Sequence, residues 1–179
     1  MSAALLIGPS GAGKSTIGEW AQEDLGLLWL EADLWGTDGI NTLRLRLQWD
    51  AFYRDGEPRR LANTLRLRAK KLGRGGAILT LPSMVLLSPA HVESARAAGV
   101  TVAIAWGTGE ACLGAFKARE KKHPRGIGEN HWRQYNGECL GQYGRSVYEG
   151  LRLETFNHDG TRRARPHVMA ALAVLLGKV

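Results

Sequence analysis

Gly8-Pro9-Ser10-Gly11-Ala12-Gly13-Lys14-Ser15 carries the strongest chemical signal in the sequence. It matches G-x-x-x-x-G-K-[ST] in full, directly after an apolar run at Ala3–Ile7 and at the opening of a helical stretch, Lys14–Leu25. Glycines let such a loop curl until successive backbone N–H groups point inward, where they can cradle phosphate oxygens. The helix that follows adds the positive end of its dipole. The cradle is expected over Gly8, Ser10, Gly11, Ala12, Gly13, Lys14, Ser15 and Thr16, with phosphates seated on Gly11–Thr16. Lys14 supplies a point charge at the β- and γ-phosphates, and the Ser15 hydroxyl is a ligand for Mg²⁺. A surface glycine turn with an exposed lysine would lack the flanking strand and helix.

A second chemical signal is Leu30-Glu31-Ala32-Asp33-Leu34. Two carboxylates two residues apart at a strand end point to the same side. One could hold Mg²⁺ through water while the other accepts a proton from a substrate hydroxyl. Metal candidates are therefore Ser15, Glu31 and Asp33, and Asp33 is the candidate base. Both acids could instead face solvent, and Asp33 could cap the segment after it. The third strand ends Leu79-Thr80-Leu81-Pro82-Ser83, without an acid, and no Asn-Lys-x-Asp sequence is present to read guanine.

These residues need a scaffold. Strand candidates are Ala3–Ile7, Leu27–Leu34, Ala77–Leu81, Val100–Trp106 and Leu151–Asn157. The runs near 77 and 100 show no polar alternation, the pattern of strands buried on both faces in a parallel sheet. Helices are predicted over Lys14–Leu25, from Ser88-Pro89 to near Gly99, over Glu110–Lys122 and over Arg165–Leu176. This alternation predicts one α/β domain over 1–179, a five-stranded parallel sheet flanked by helices.

Two segments interrupt the alternation. Asn41–Arg74 holds ten Lys or Arg against three Asp or Glu. Leu43–Leu47 alternates like a strand but also satisfies helical spacing, and is read as helix. The second half is read as a helix starting at Pro58, with Leu61, Leu65 and Leu72 on one face. Lys117–Arg133, with six basic and two acidic residues, reads as the basic end of a helix running into a loop. A helix over His131–Tyr148 is expected to be broken by Gly137, Gly141 and Gly144.

The chain has 179 residues and a formal net charge of +7, which favours an anionic partner without choosing among phosphate, a charged metabolite and nucleic acid. The longest apolar runs, such as Ala170–Leu176, are too short to span a bilayer. The start lacks a basic stretch and runs into the glycine loop, which does not read as a signal peptide. Two cysteines, Cys112 and Cys139, form no disulfide framework, and a reducing, cytoplasmic setting is expected.

Taken together, the loop, the acid pair and the alternation resemble small P-loop kinases of the shikimate kinase and gluconate kinase type, in the adenylate-kinase-like group. The resemblance covers nearly the whole length, and its specific part is the phosphate loop. It implies ATP and Mg²⁺ as cofactors and transfer of phosphate to a hydroxyl of a small molecule. It places Glu31 and Asp33 on the family's acid pair, although Glu31 stands where an Asp is usual. It also implies that 117–133 is a lid, that Arg119 and then Arg125 reach the nucleotide phosphates, and that Asn157–Thr161, with His158, touches adenine. The family's glycine triplet after the third strand is absent, which argues against shikimate as substrate.

By the same resemblance Asn41–Arg74 is the acceptor-binding insert. Its cations suggest an anionic acceptor, with Arg54, Arg59 and Arg60 able to form a clamp; each could also belong to a solvated helix face. Trp35 could line the acceptor pocket or be a core aromatic, while Trp49, Phe52 and Tyr53 read as helix packing. His123, His131 and Cys139 match no zinc spacing. His91 and His167 are expected on exposed helix positions without a role. Two other functions stay open at this level: a nucleoside or nucleotide kinase, and a non-catalytic nucleotide-binding module whose basic segments bind nucleic acid.

Overall fold

The computed structural model describes residues 1–32 and 40–178, the side chains of 40–43 excepted. Among the described residues five strands form one sheet: β1 Ser2–Ile7, β2 Leu27–Glu31, β3 Gly76–Thr80, β4 Val100–Trp106 and β5 Arg152–Glu154. Their order is β2-β3-β1-β4-β5 and every pairing is parallel. Among the described residues seven α-helices accompany them: α1 Lys14–Asp24, α2 Ile40–Asp55, α3 Arg59–Lys71, α4 Pro89–Ala97, α5 Gly109–Lys122, α6 Glu129–Tyr143 and α7 Arg165–Leu175.

The apolar pattern of β1 explains its central position. Leu5 and Ile7 face one layer, with Phe52 of α2, Leu61 and Leu65 of α3 and Tyr143 of α6. Ala4 and Leu6 face the other, with Ile17 of α1, Phe116 of α5 and Leu172 of α7. A strand covered on both faces must be apolar at every position, which is why β1, β3 and β4 show no alternation. The chain leaves β1 for one edge and later resumes on its other side at β4. The crevice beyond the carboxyl end of β1 is thus a topological switch point, where open α/β sheets bind ligands.

Several sequence expectations change. The second strand was expected to reach Leu34; its described part ends at Glu31, and Asp33, Leu34 and Trp35 lie outside the described residues. Leu72 does not share the buried face of Leu61 and Leu65: it follows the end of α3 and is 62% exposed. Helix α6 is not broken by Gly137 or Gly141. Nothing lies near either glycine, and Trp132, Asn136, Cys139 and Tyr143 hold the opposite face in the core. Two glycines cost a helix only about 1 kcal/mol each relative to alanine, less than that burial supplies. The helix stops at Gly144, and a short 3-10 helix follows over Ser146–Leu151. The final strand is shorter than 151–157, because the chain turns back on itself and bridges Phe156 to Arg162.

His91 has a role that its spacing did not show. It completes the N-terminal capping box of α4, where Ser88 N–H donates to Nδ1 and Ser88 Oγ accepts from the His91 N–H. With Nδ1 accepting, Nε2 carries the proton and donates to the Tyr53 carbonyl at 3.0 Å, and the ring stacks on Tyr53. This ties α4 to the end of α2.

The loop after β3 is fixed by two buried tyrosines. Tyr143 Oη accepts the Leu87 N–H at 2.7 Å and donates to the Val85 carbonyl at 3.0 Å. Tyr148 Oη donates to the Leu87 carbonyl at 2.8 Å. Burial raises the Tyr143 phenol well above its usual range, so it stays protonated and able to donate. Tyr143→Phe leaves two buried main-chain groups without this partner, and is expected to lower unfolding free energy by about 1–3 kcal/mol, read from urea denaturation midpoints.

Candidate functional site

The loop between β1 and α1 turns through Gly8, Gly11 and Gly13, all at positive φ. At Gly11 the requirement is double: φ is 92°, and a Cβ would overlap the Cys112 carbonyl of α5. No other residue satisfies both conditions. Gly13 forms the N-cap of α1 without a capping side chain, so the first N–H groups of the helix face the crevice.

Turning N–H groups into a crevice leaves carbonyls on the back of the loop, and side chains from distant elements take them. Lys14 Nζ donates to the carbonyls of Gly8 at 2.8 Å and Pro9 at 3.2 Å. Arg162 donates through Nη1 to the Ala12 carbonyl at 2.9 Å and through Nη2 to the Gly11 carbonyl, while its guanidinium lies 4.2 Å from the Phe156 ring centre. Helix α6 holds Ser10 on both main-chain atoms. Asn136 Oδ1 accepts the Ser10 N–H at 2.7 Å and Trp132 Nε1 donates to the Ser10 carbonyl at 3.1 Å. Asn136 is buried, and its own Nδ2 donates to the Trp132 carbonyl at 2.8 Å.

In front of the loop lies a cleft of about 660 Å³. It brings together Ser10, Gly11, Gly13, Lys14, Ser15, Thr16, Glu31, Arg119 and Arg125 from the sequence reading. Gly8 and Ala12 do not line it; their carbonyls serve Lys14 and Arg162 behind it. The Ser15 hydroxyl donates to Glu31 Oε1, which joins the first turn of α1 to the end of β2. Asp33 lies outside the described residues. The cleft also receives residues the sequence reading missed: Arg162, Asn136, Trp132, Tyr135 and, from the end of β3, Thr80 and Ser83. No spacing rule connects α6 or Arg162 to residues more than 120 positions away in the chain.

Phe116, buried on α5, carries both expected lid arginines. Its ring centre is 5.4 Å from the Arg119 guanidinium and 5.8 Å from that of Arg125. Arg125 is oriented by Glu120, whose carboxylate accepts the Arg125 N–H at 2.9 Å and Nε at 2.7 Å. These bonds hold the Glu120 carboxyl below its ordinary range, with the backbone bond first among the causes. Lys117 and Arg133 both pair with Glu129, so they are engaged within the segment.

Other expectations are not met. His158 is exposed and does not line the cleft. The turn closes on itself through Asn157 N–H to the Thr161 carbonyl at 2.8 Å and Gly160 N–H to the Asn157 carbonyl at 3.0 Å, and Arg162 is the residue brought back to the loop. Among the described residues no cation of 41–74 lines the cleft. Arg54 pairs with Asp55 at 3.0 Å, Arg59 and Arg60 are exposed, and Arg66 binds the carbonyls of Ala98 and Gly99 at the end of α4. Cys112 and Cys139 are buried free thiols, with pKa values pushed up by burial to about 11 and about 12. Among the described residues no three or more His, Cys, Asp or Glu side chains are grouped so as to hold a metal ion, and His123, His131 and Cys139 are not brought together in such a group. No helix among them is long and apolar enough to cross a membrane.

No family model matches the chain, and no curated protein does. Solved structures do. The chain is similar to a shikimate kinase from Acinetobacter baumannii at 21% identity and TM-score 0.53, covering 99% of this chain and 94% of that one. It is similar to a sugar kinase from Janibacter sp. HTCC2649 at 18% identity and TM-score 0.55, covering 100% and 96%. It is also similar to a shikimate kinase from Bacteroides thetaiotaomicron at 14% identity and TM-score 0.56, covering 98% of each chain. The fold is that of the small P-loop kinases. Within that fold the glycine loop, the first turn of α1 and the end of β2 meet in the position where the sheet order reverses.

The Glu120–Arg125 contact gives a pH dependence. A carboxyl with a depressed folded-state pKa contributes stability that is complete above the unfolded value, about 4.3, and is lost as pH falls through the folded value. In Glu120→Ala the Arg125 amide is expected to exchange about tenfold faster at neutral pH. In the wild type, the same loss of protection is expected only as the pH falls below the ordinary carboxylate range. Hydrogen exchange corrected for the intrinsic rate measures both.

Proposed function

We propose that this protein is an ATP-dependent phosphotransferase acting on a hydroxyl of a small molecule. The observation that carries the reading is the Ser15–Glu31 hydrogen bond at the positive end of α1, with Lys14 folded over the same loop. A hydroxyl and a carboxylate in contact are hard oxygen donors of the kind Mg²⁺ takes, one or two from protein and the rest from phosphate and water. Two donors rather than a closed cage fit that use. In this reading Ser15, Glu31 and Asp33 would hold Mg²⁺, and the ion when bound would supply charge that neutralises phosphate oxygens.

The chain's own residues do the remainder. Main-chain N–H groups of Gly11–Thr16 bind the triphosphate and set its direction. Lys14 exchanges the carbonyls of Gly8 and Pro9 for phosphate oxygens, a short movement for a flexible stem. Arg119 and Arg125, aimed from the Phe116 platform, neutralise charge that spreads over the transferred group. Asp33 orients the acceptor hydroxyl and takes its proton. Closure of 117–133 would exclude water, so that transfer outcompetes hydrolysis. The kinases of similar fold, one of them in complex with shikimate, support an acceptor of metabolite size. An anionic acceptor rested on the insert, and no cation of 41–74 lines the cleft among the described residues.

Lys14→Met is expected to lower turnover at least about 100-fold with an unchanged far-ultraviolet spectrum. Asp33→Asn is expected to lower kcat about 100-fold or more while ATP affinity by calorimetry stays within about twofold. Full activity in Asp33→Asn would remove the base assignment.

A further inference from the structure

Ser10, in the phosphate loop, is the meeting point of two other elements. From the loop after β3, Ser83 Oγ lies 3.1 Å from Ser10 Oγ. From α6, Asn136 Oδ1 accepts the Ser10 N–H. The chain neighbours of these two contacts are Met84 and Tyr135, and both line the cleft. Met84 is 64% exposed and Tyr135 is 42% exposed. His131, one turn before Tyr135, also lines the cleft, with its ring centre 4.4 Å from that of Tyr135. A thioether and a close, tilted pair of aromatic rings thus stand in water, at the place where the two elements touch the phosphate loop. Apolar and aromatic surface inside a concave site is the surface that ligand burial uses.

The charges are distributed the other way. Lys14, Arg119, Arg125 and Arg162 are the lysines and arginines that line the cleft among the described residues. Lys14 and Arg162 hold loop carbonyls, and Arg119 and Arg125 sit over Phe116 on α5. All four are on the loop, the lid or the segment after β5, where a triphosphate needs them. Glu31 is the carboxylate that lines the cleft among the described residues, and Tyr135, His131 and Met84 line it away from the four cations. A carboxylate or phosphate on the acceptor would meet Glu31 and the triphosphate, with no further Lys or Arg lining the cleft among the described residues.

We infer that the acceptor is an uncharged alcohol carried on a flat aromatic ring, with the ring against Tyr135 and Met84. This rests on the phosphotransferase reading above and specifies its acceptor. The step is balanced by ATP alone. The hydroxyl oxygen forms the new bond to the γ-phosphorus, and the bond from that phosphorus to the β,γ-bridging oxygen breaks. ADP leaves with the electron pair, and the hydroxyl proton passes to the carboxylate of the acid pair. Nucleosides and aryl alcohols share this chemistry.

The test measures ADP release from ATP and Mg²⁺ with adenosine, cytidine and 2-phenylethanol in one set, and shikimate and gluconate in the other. A kcat/KM for at least one ring alcohol 100-fold or more above both acids is expected; a nucleoside or the aryl alcohol as best substrate identifies the source. Tyr135→Ala should then raise KM for that acceptor tenfold or more with the KM for ATP unchanged, and Tyr135→Phe should restore it. Turnover confined to the acids, no turnover with any ring alcohol, or an unchanged acceptor KM in Tyr135→Ala overturns the inference. Calorimetry with ATP on the same protein separates the two readings. Absence of heat removes the phosphotransferase and this inference with it, whereas heat with turnover only on the acids removes this inference alone.

Discussion

A loop that offers its N–H groups to phosphate must place its carbonyls somewhere, and this constraint organises the molecule. A buried backbone group without a partner costs about 1–3 kcal/mol, and the inverted curl of Gly8–Gly13 turns several carbonyls away from the crevice. Here Lys14 serves Gly8 and Pro9, Arg162 serves Gly11 and Ala12, and Trp132 serves Ser10. Asn136 removes the Ser10 N–H from the set that could face a ligand. The loop is preorganised by side chains that come from α6 and from beyond β5. Its shape therefore depends on the whole domain having folded.

The sheet supplies the rigid part of that arrangement. Because β1 is buried between β3 and β4 and covered on both faces, its last residue, Ile7, is fixed by packing on every side. Glu31 is paired in register with Thr80 at the neighbouring strand end, which sets the carboxylate beside the first turn of α1. Thr80 donates to the Leu30 carbonyl and accepts from Trp29 Nε1, so the tip of β2 is anchored at the point where its acid emerges.

Charge is used differently in the two basic segments. In 117–133 the cations are organised: Glu120 and Glu129 each gather basic partners, and two arginines rest on Phe116 above the cleft. In the insert, the apolar faces of α2 and α3 cover the sheet. The described cations there stay at the surface or close other helix ends, as Arg66 does for α4. A basic composition shared by both segments thus conceals one that faces the cleft and another whose described cations do not.

Local chemistry was legible in the sequence. The glycine loop, the run of β1 and β4, the capping serine of α4 and the start of α1 follow from residue type and short spacing, because strand burial, helix caps and phosphate loops are decided within a few residues. Whether Glu31 faces the loop or solvent was left open by spacing, and the register of β2 on β3 decides it. What the sequence could not place was decided by contacts made across long separations. Gly137 and Gly141 are tolerated because the opposite face of α6 is buried. His158 is turned outward by a closed turn that returns Arg162 instead. Asn136 and Trp132 reach Ser10 only once α6 has docked. Such partners carry no periodicity. They are selected by which unsatisfied backbone groups the packed sheet leaves within reach, and that exists only in three dimensions.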